Sequence, residues 1–186
     1  MLLKVSVAII DNMQKKLEKF IQPVIQENII LKERIDHLEQ YSRLNNIRIF
    51  GMPEKQNENL EDSVINIFQK KLNVHVPKEA IERIHRTGRH SEGKTRPVIK
   101  FLSYKTRHQV LNNKKKLKGT NFIVYEDLTK TRLSSLHKVQ TKIGRRNTWT
   151  HDGTIFFRRD NSIHAIKSSE DFDKYFEDVT VAHSVG

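Results

Sequence analysis

The chain has 186 residues, 36% of them hydrophobic and 30% charged, which allows one or two modest cores plus an extended element rather than one large core. Its 34 basic and 22 acidic side chains leave +12, so a polyanion is the natural partner, nucleic acid before an anionic membrane. The absence of cysteine excludes disulfides, thiolate nucleophiles and cysteine zinc sites and suits a reducing compartment, and no stretch is long and apolar enough to span a bilayer.

Charge is unevenly spread: residues 1–45 carry +1, residues 46–127 carry +8 and residues 128–186 carry +3. The first segment, 1–45, reads as a coiled-coil oligomerisation helix. Apolar residues at Ile10, Met13, Leu17, Phe20 and Val24 follow 3-4-3-4 spacing. After a one-residue shift, Val24, Asn28, Leu31, Ile35 and Leu38 follow 4-3-4-3, the seam of a helix that packs on another helix. The shift resembles a stutter, and Pro23 beside it predicts a kink or local restriction. Asn28 in the seam trades stability for register. A helix of about 40 residues extends about 60 Å, too far for a small domain to cover, so packing between molecules is favoured over folding back. Asp11 and the lack of a small-residue cleavage site argue against a secretory signal. The pattern is already running at Met1, which predicts that the coil continues upstream in a longer protein.

Residues 46–127 alternate strand and helix. A β-rich run at 46–51 leads to an amphipathic helix over 60–72, with Asn59 as N-cap and Asp62 at its third position. Strands follow at 81–86 and 96–102, separated by a polar loop over 87–95. A second helix over 104–117 ends at Gly119, and a fourth strand covers 122–125. The order β-α-β-β-α-β is the split βαβ arrangement, with two helices on one face of a four-stranded sheet and the other face open. Alternation turns Ile47, Ile49, Ile84, Ile99 and Phe101 inward and Val98 outward. It leaves Arg48, Phe50, Arg83, His85, Arg96 and Lys100 on the open face as candidate nucleic-acid contacts. A solvated structural face would more often mix signs.

Residues 128–178 read as a small C-terminal domain that packs on the middle one, with a tail at 179–186. A helix over 129–146 precedes Trp149, a turn at 151–153, strands at 154–158 and 162–167 joined by Asp160-Asn161, and a helix capped by Ser168 or Ser169. Three basic clusters are further candidates. Lys114, Lys115, Lys116 and Lys118 suit the negative end of the second helix or a nuclear-localisation run, and equally phosphate contact. Arg145, Arg146, Arg158 and Arg159 either line a cleft between the two domains or are solvated turn residues. Trp149 reads as a core anchor rather than a stacking platform.

Little here suits catalysis. The nine histidines are scattered, no glycine loop cradles phosphate, and Asp127, Asp152 and Asp160 fall at helix starts and turns, where caps are the ordinary reading. The expectation is a chain with no catalytic residues, no metal and no cofactor. A metal-dependent nuclease is the alternative enzyme, and no motif gathers its carboxylates.

The β-α-β-β-α-β domain resembles an RNA-recognition motif, with one departure. Arg96 and Val98 stand where stacking rings are expected on strand three, Arg48 stands where another belongs, and Phe50 alone can stack. This shifts the expected energy toward phosphate contact, weak sequence preference and strong salt dependence. Over residues 35–178 the ordered pieces are Asn45–Glu54, Ile84–Gly88, Arg96–Phe101, Glu126–Thr129, Trp149, Asp152–Arg158 and Glu170–Phe172. Behind a coiled coil, they resemble the first-open-reading-frame protein of LINE-type non-LTR retrotransposons, and also the baculoviral few-polyhedra protein. The resemblance implies an α+β chain that forms a coiled-coil trimer, binds single-stranded RNA or DNA through both folded domains and acts as a nucleic-acid chaperone. It implies RNA packaging in cytoplasmic ribonucleoprotein particles, with the nucleus as a second compartment, and neither a membrane nor a small-molecule partner. The competing reading is a structural or assembly protein, viral or domesticated, acting through protein contacts.

Overall fold

A computed structural model describes residues 2–88 and 96–176. Most of the polar loop (89–95), residues 177–178 and the tail at 179–186 lie outside the described residues. The chain divides into two compact units, Met1–Glu39 and Gln40–Gly186.

The first unit is helical. Helix α1 runs over Leu2–Ser42 with Pro23 inside it. The segment has no glycine and is stocked with Leu, Gln, Glu and Lys, which lose little rotamer freedom in a helix. Its apolar stripe is uncovered: Met13, Leu17, Phe20, Val24, Leu31, Ile35 and Leu38 are exposed, from 47% at Leu31 to 76% at Phe20. Asn28 in the same stripe is exposed too.

The second unit is mixed α+β and holds two antiparallel sheets. Its first part comprises β1 (Asn46–Phe50), α2 (Leu60–Ile67), β2 (Ile81–Thr87), β3 (Arg96–Phe101), α3 (Tyr104–Asn112) and β4 (Ile123–Glu126). The sheet order is β2-β3-β1-β4, so β1 is central and β2 and β4 are edges. A π turn over Phe68–Leu72 extends α2, burying Phe68 and Leu72, and a 3-10 turn over Lys114–Leu117 follows α3. Asn59 caps α2 as its sequence position suggests, its side chain accepting from the Asp62 amide at 3.1 Å. Ile47, Ile49, Ile99, Phe101 and Val124 face Val64, Phe68 and Val110 in one apolar core.

The second part is α4 (Lys130–Ile143), β5 (Thr148–His151), β6 (Thr154–Arg159), β7 (Ser162–Ile166) and α5 (Ser169–Phe176). Two expectations need correction here. Helix α4 ends at Ile143 rather than Arg146, because Gly144 takes φ 90°, and Arg145–Asn147 form a separate 3-10 turn. The segment holding Trp149, expected as a connection, is a strand, so the sheet has three strands in the order β5-β6-β7. Positive φ at Asp152 (49°) and Gly153 (76°), and at Asp160 (49°) and Asn161 (61°), makes two tight hairpins of the type I′ kind. Val139, Ile155, Phe157, Ile166 and Phe176 form a second apolar core. Ser168 and Asp171 cap α5 reciprocally, the Ser168 hydroxyl accepting from the Asp171 amide at 3.2 Å and the carboxylate accepting from the Ser168 amide at 3.2 Å.

Candidate nucleic-acid interface

Cross-strand register sets out the face of the β2-β3-β1-β4 sheet that turns away from α2 and α3. One row runs Tyr125, Arg48, Val98 and His85 across all four strands. On one side of it, Ile123 pairs with Phe50 and Arg96 with Thr87. On the other, Asn46 pairs with Lys100, and Lys100 with Arg83. All six expected open-face residues therefore share one face. Val98 shares that face, as alternation predicts, and is buried there at 5% exposure between Arg48 and His85.

The face carries a second ring beside Phe50. Tyr125, half exposed, stands edge-on to Phe50 with ring centroids 5.5 Å apart. The Arg96 guanidinium lies 4.8 Å over the Phe50 ring. Alternation applied to β4, with Val124 and Glu126 inward, gives Tyr125 outward, so the signal was in the sequence.

Helix α4 and the start of β5 stand across from this face. Between them lies a cleft of about 500 Å³, with Phe50, Tyr125, Arg48 and Arg96 on the sheet side and Leu133, His137, Arg145 and Thr150 opposite. It is amphipathic, with rings and leucine beside guanidinium groups.

The candidate cations differ in what they already hold. Asp127, 4% exposed, accepts from Arg43 Nη1 at 3.2 Å, from Arg48 Nε at 2.5 Å and from Asn46 Nδ2 at 3.0 Å. Arg48 thus reaches the cleft with one nitrogen already bound. Asp127 gathers arginines rather than capping α4, a task done by Thr129, whose hydroxyl accepts from the Arg132 amide at 3.2 Å. The Gln40 side chain closes this knot, donating to the Asp127 carbonyl at 3.1 Å and accepting from the Thr129 amide at 3.0 Å. Lys100 is paired with Glu82 at 2.7 Å. Arg83, His85 and Arg96 are exposed, and no ion pair is seen for them among the described residues.

The remaining clusters divide similarly. Lys114, Lys115 and Lys118 border a second, shallower hollow of about 460 Å³ beside Ile123 and Tyr125 on edge strand β4. Lys116 instead donates to the Leu72 carbonyl at 2.9 Å, closing the end of the π turn. Arg145 and Arg146 are exposed on their 3-10 turn, and only Arg145 reaches the cleft. Arg158 and Arg159 point to opposite sides of β6. Arg158 is exposed, whereas Arg159 lies 5.0 Å over the Phe176 ring and donates to the Tyr175 carbonyl at 3.3 Å. Trp149 is 38% exposed and takes no part in either core, against the expectation of a core anchor.

A buried junction on the helix side of the sheet was not foreseen. Arg107, 2% exposed, donates to Glu126 at 2.8 Å and to Asp152 at 2.6 Å. Glu126 also accepts the Asp152 and Gly153 amides, at 2.9 and 3.1 Å. A Cβ on Gly153 would stand 2.5 Å from the Gln40 side chain, so the turn is glycine for space as well as for its φ. Burial pushes the Asp152 carboxyl up, but hydrogen bonds from Tyr104 and Arg107 outweigh it and hold it below the usual carboxylate range. The Tyr104 hydroxyl, donating to Asp152 at 2.7 Å, is pushed up in turn. Arg107 on this helix sits at a core-facing position, four before Leu111, which was the available clue.

Glu126, His151 and Asp152 bring potential metal-ligating atoms within 4.8 Å of one another, one such group among the described residues. Arg107 already balances both carboxylates there, so the group is accounted for as an ion-pair junction. No helix among the described residues is long and apolar enough to cross a membrane. No family model matches this chain, and no curated protein matches it either.

Proposed function

We propose that the chain is a non-catalytic, self-associating protein that binds single-stranded nucleic acid. In this reading the β-α-β-β-α-β part is an atypical RNA-recognition motif, and the cleft between its sheet and α4 is the binding groove. The observation that carries the reading is the lining of that cleft, where Phe50 and Tyr125 stand beside Arg48, Arg96 and Arg145. Rings serve any base, and guanidinium groups serve any phosphate, so sequence preference is weak and salt dependence steep. The exposed stripe on α1 supports self-association. Linking several weak grooves raises effective concentration, giving tight overall binding with contacts that exchange quickly. Strand exchange and annealing, and the packaging of an element's RNA in cytoplasmic and nuclear particles, are the roles that the retrotransposon resemblance adds.

The test is a titration of the protein with labelled single-stranded RNA, single-stranded DNA and duplex across a range of salt. Single strands should bind more tightly than duplex, with an affinity that falls steeply as salt rises. Equal or negligible binding to all three overturns the reading and leaves protein contacts as the better account. Replacing Leu17 and Leu31 by Asp should leave monomers in sedimentation and weaken binding by about 10²- to 10⁴-fold through lost avidity alone.

A further inference from the structure

The outer face of the β5-β6-β7 sheet carries the chain's one tryptophan, which is 38% exposed. Strand alternation sends Ile155 and Phe157 into the core beneath α4, together with their partners Thr150 and Thr148. It sends Trp149 and its cross-strand partner Phe156 the other way, with Ala165 next to Phe156 on β7. The Trp149 and Phe156 rings are stacked, 13° apart with centroids at 5.9 Å. Around them, Arg158 is exposed on the same face of β6, paired with Ile163, which is 58% exposed. Neither Arg158 nor Arg146, exposed just before β5, has an ion pair seen among the described residues.

We infer that this face is a second stacking subsite for single-stranded nucleic acid, with Trp149 as the platform for a base and Arg158 as a phosphate contact. The inference rests on the function proposed above and extends it beyond the cleft. Charge selects this occupant: Arg158, exposed on the face of the rings with no ion pair seen among the described residues, complements phosphate. Stacking on an aromatic platform requires an unpaired base, which a duplex does not offer.

The experiment uses the full chain and follows two signals at once, anisotropy of a labelled oligonucleotide and the emission of Trp149. Oligomers of about 4 and about 12 nucleotides bracket the length that one compact single-strand site covers. The longer oligomer should quench Trp149 emission as it binds, and the shorter one should bind with little quenching. Trp149→Ala should weaken the 12-mer about tenfold, within the range for loss of one stacked base, and leave the 4-mer unchanged. Arg158→Ala, which leaves the rings in place, should weaken the 12-mer and lower its salt slope, so the test survives a poorly folding Trp149→Ala. Binding of both oligomers with unaltered Trp149 emission, and no loss in either variant, overturns the subsite while leaving the cleft reading intact. Failure of every oligomer to bind overturns both. Emission that follows protein concentration rather than oligonucleotide marks the face as a contact between copies and also overturns the subsite.

Discussion

Arg107 and Arg96 serve the same β2-β3-β1-β4 sheet from opposite sides and end in different states. Arg107 is buried, with its guanidinium divided between Glu126 and Asp152, whereas Arg96 is exposed over a phenylalanine ring beside a cleft. A surplus of basic residues therefore does not mark a binding surface by itself. What separates the two arginines is carboxylate: Arg107 meets two, whereas no ion pair is seen for Arg96 among the described residues and the Asp127 carboxylate is taken up by Arg43, Arg48 and Asn46. The same division runs through neighbouring residues, since Arg159 holds α5 to the sheet while Arg158 faces out.

The sharpest way to break this comparison is Arg107→Ala. Removing one member of a buried ionic cluster leaves its carboxylates uncompensated and should cost about 3–5 kcal/mol, read from urea unfolding. Arg107→Lys should restore only part, because a single ammonium cannot reproduce the fork that meets both acids. If either variant remains folded, its affinity for single strands should match that of the parent chain. A stability loss below about 1 kcal/mol would show the junction to be no more than a surface pair.

The opposite result is expected on the open face. Arg96→Ala combined with Arg145→Ala should leave the melting temperature unchanged and lower the salt slope by about 1.4, from two lost phosphate contacts on a single strand. Lys100→Ala should matter less than Arg96→Ala, because Glu82 already neutralises that lysine. An equal effect of the two would mean that pairing within the fold does not decide which cations serve the ligand.

The smallest effect concerns pH. The folded Asp152 carboxyl is held below its ordinary value, so its ionised form contributes stability above the unfolded carboxylate value. That contribution is lost as pH falls through the lowered, folded value. The raised Tyr104 hydroxyl works the other way, adding stability that is lost as pH rises through its folded value. Tyr104→Phe removes one of the two side-chain donors to Asp152, so its stability should fall less steeply than the parent's between neutral and acid pH. Identical acid profiles for the two proteins would assign the pH dependence to other carboxylates.

Periodicity made much of the fold legible. The long helix α1, the order of the first six elements of the second unit and the Asn59 cap all follow from spacing and capping chemistry. β5 escaped because Thr-Trp-Thr-His offers one large apolar residue in four positions, too little alternation to count as a strand. That omission carried the misreading of Trp149, since a tryptophan on a connection has no assigned face. The candidate site was legible by side but not by partner. Alternation tells which way Arg48 and Arg159 point, and only tertiary contacts reveal that Asp127 and the C-terminal end of α5 already engage them. Arg107 shows the same limit, because its counter-charges come from a distant strand and turn.

The strand order also sets a timetable for folding. The β5-β6-β7 sheet consists of two tight hairpins, each closing over neighbouring residues, and such local pairings form within microseconds. Central strand β1 must wait much longer, since Arg48 meets Val98 on one side and Phe50 meets Ile123 on the other. At synthesis rates of about 5–20 residues per second, its second neighbour leaves the ribosome on the order of ten seconds later. Through that interval the nascent chain presents both the apolar α1 stripe and the bare Ile47–Ile49 side of β1, so its exposed hydrophobic surface is largest before the sheet has closed.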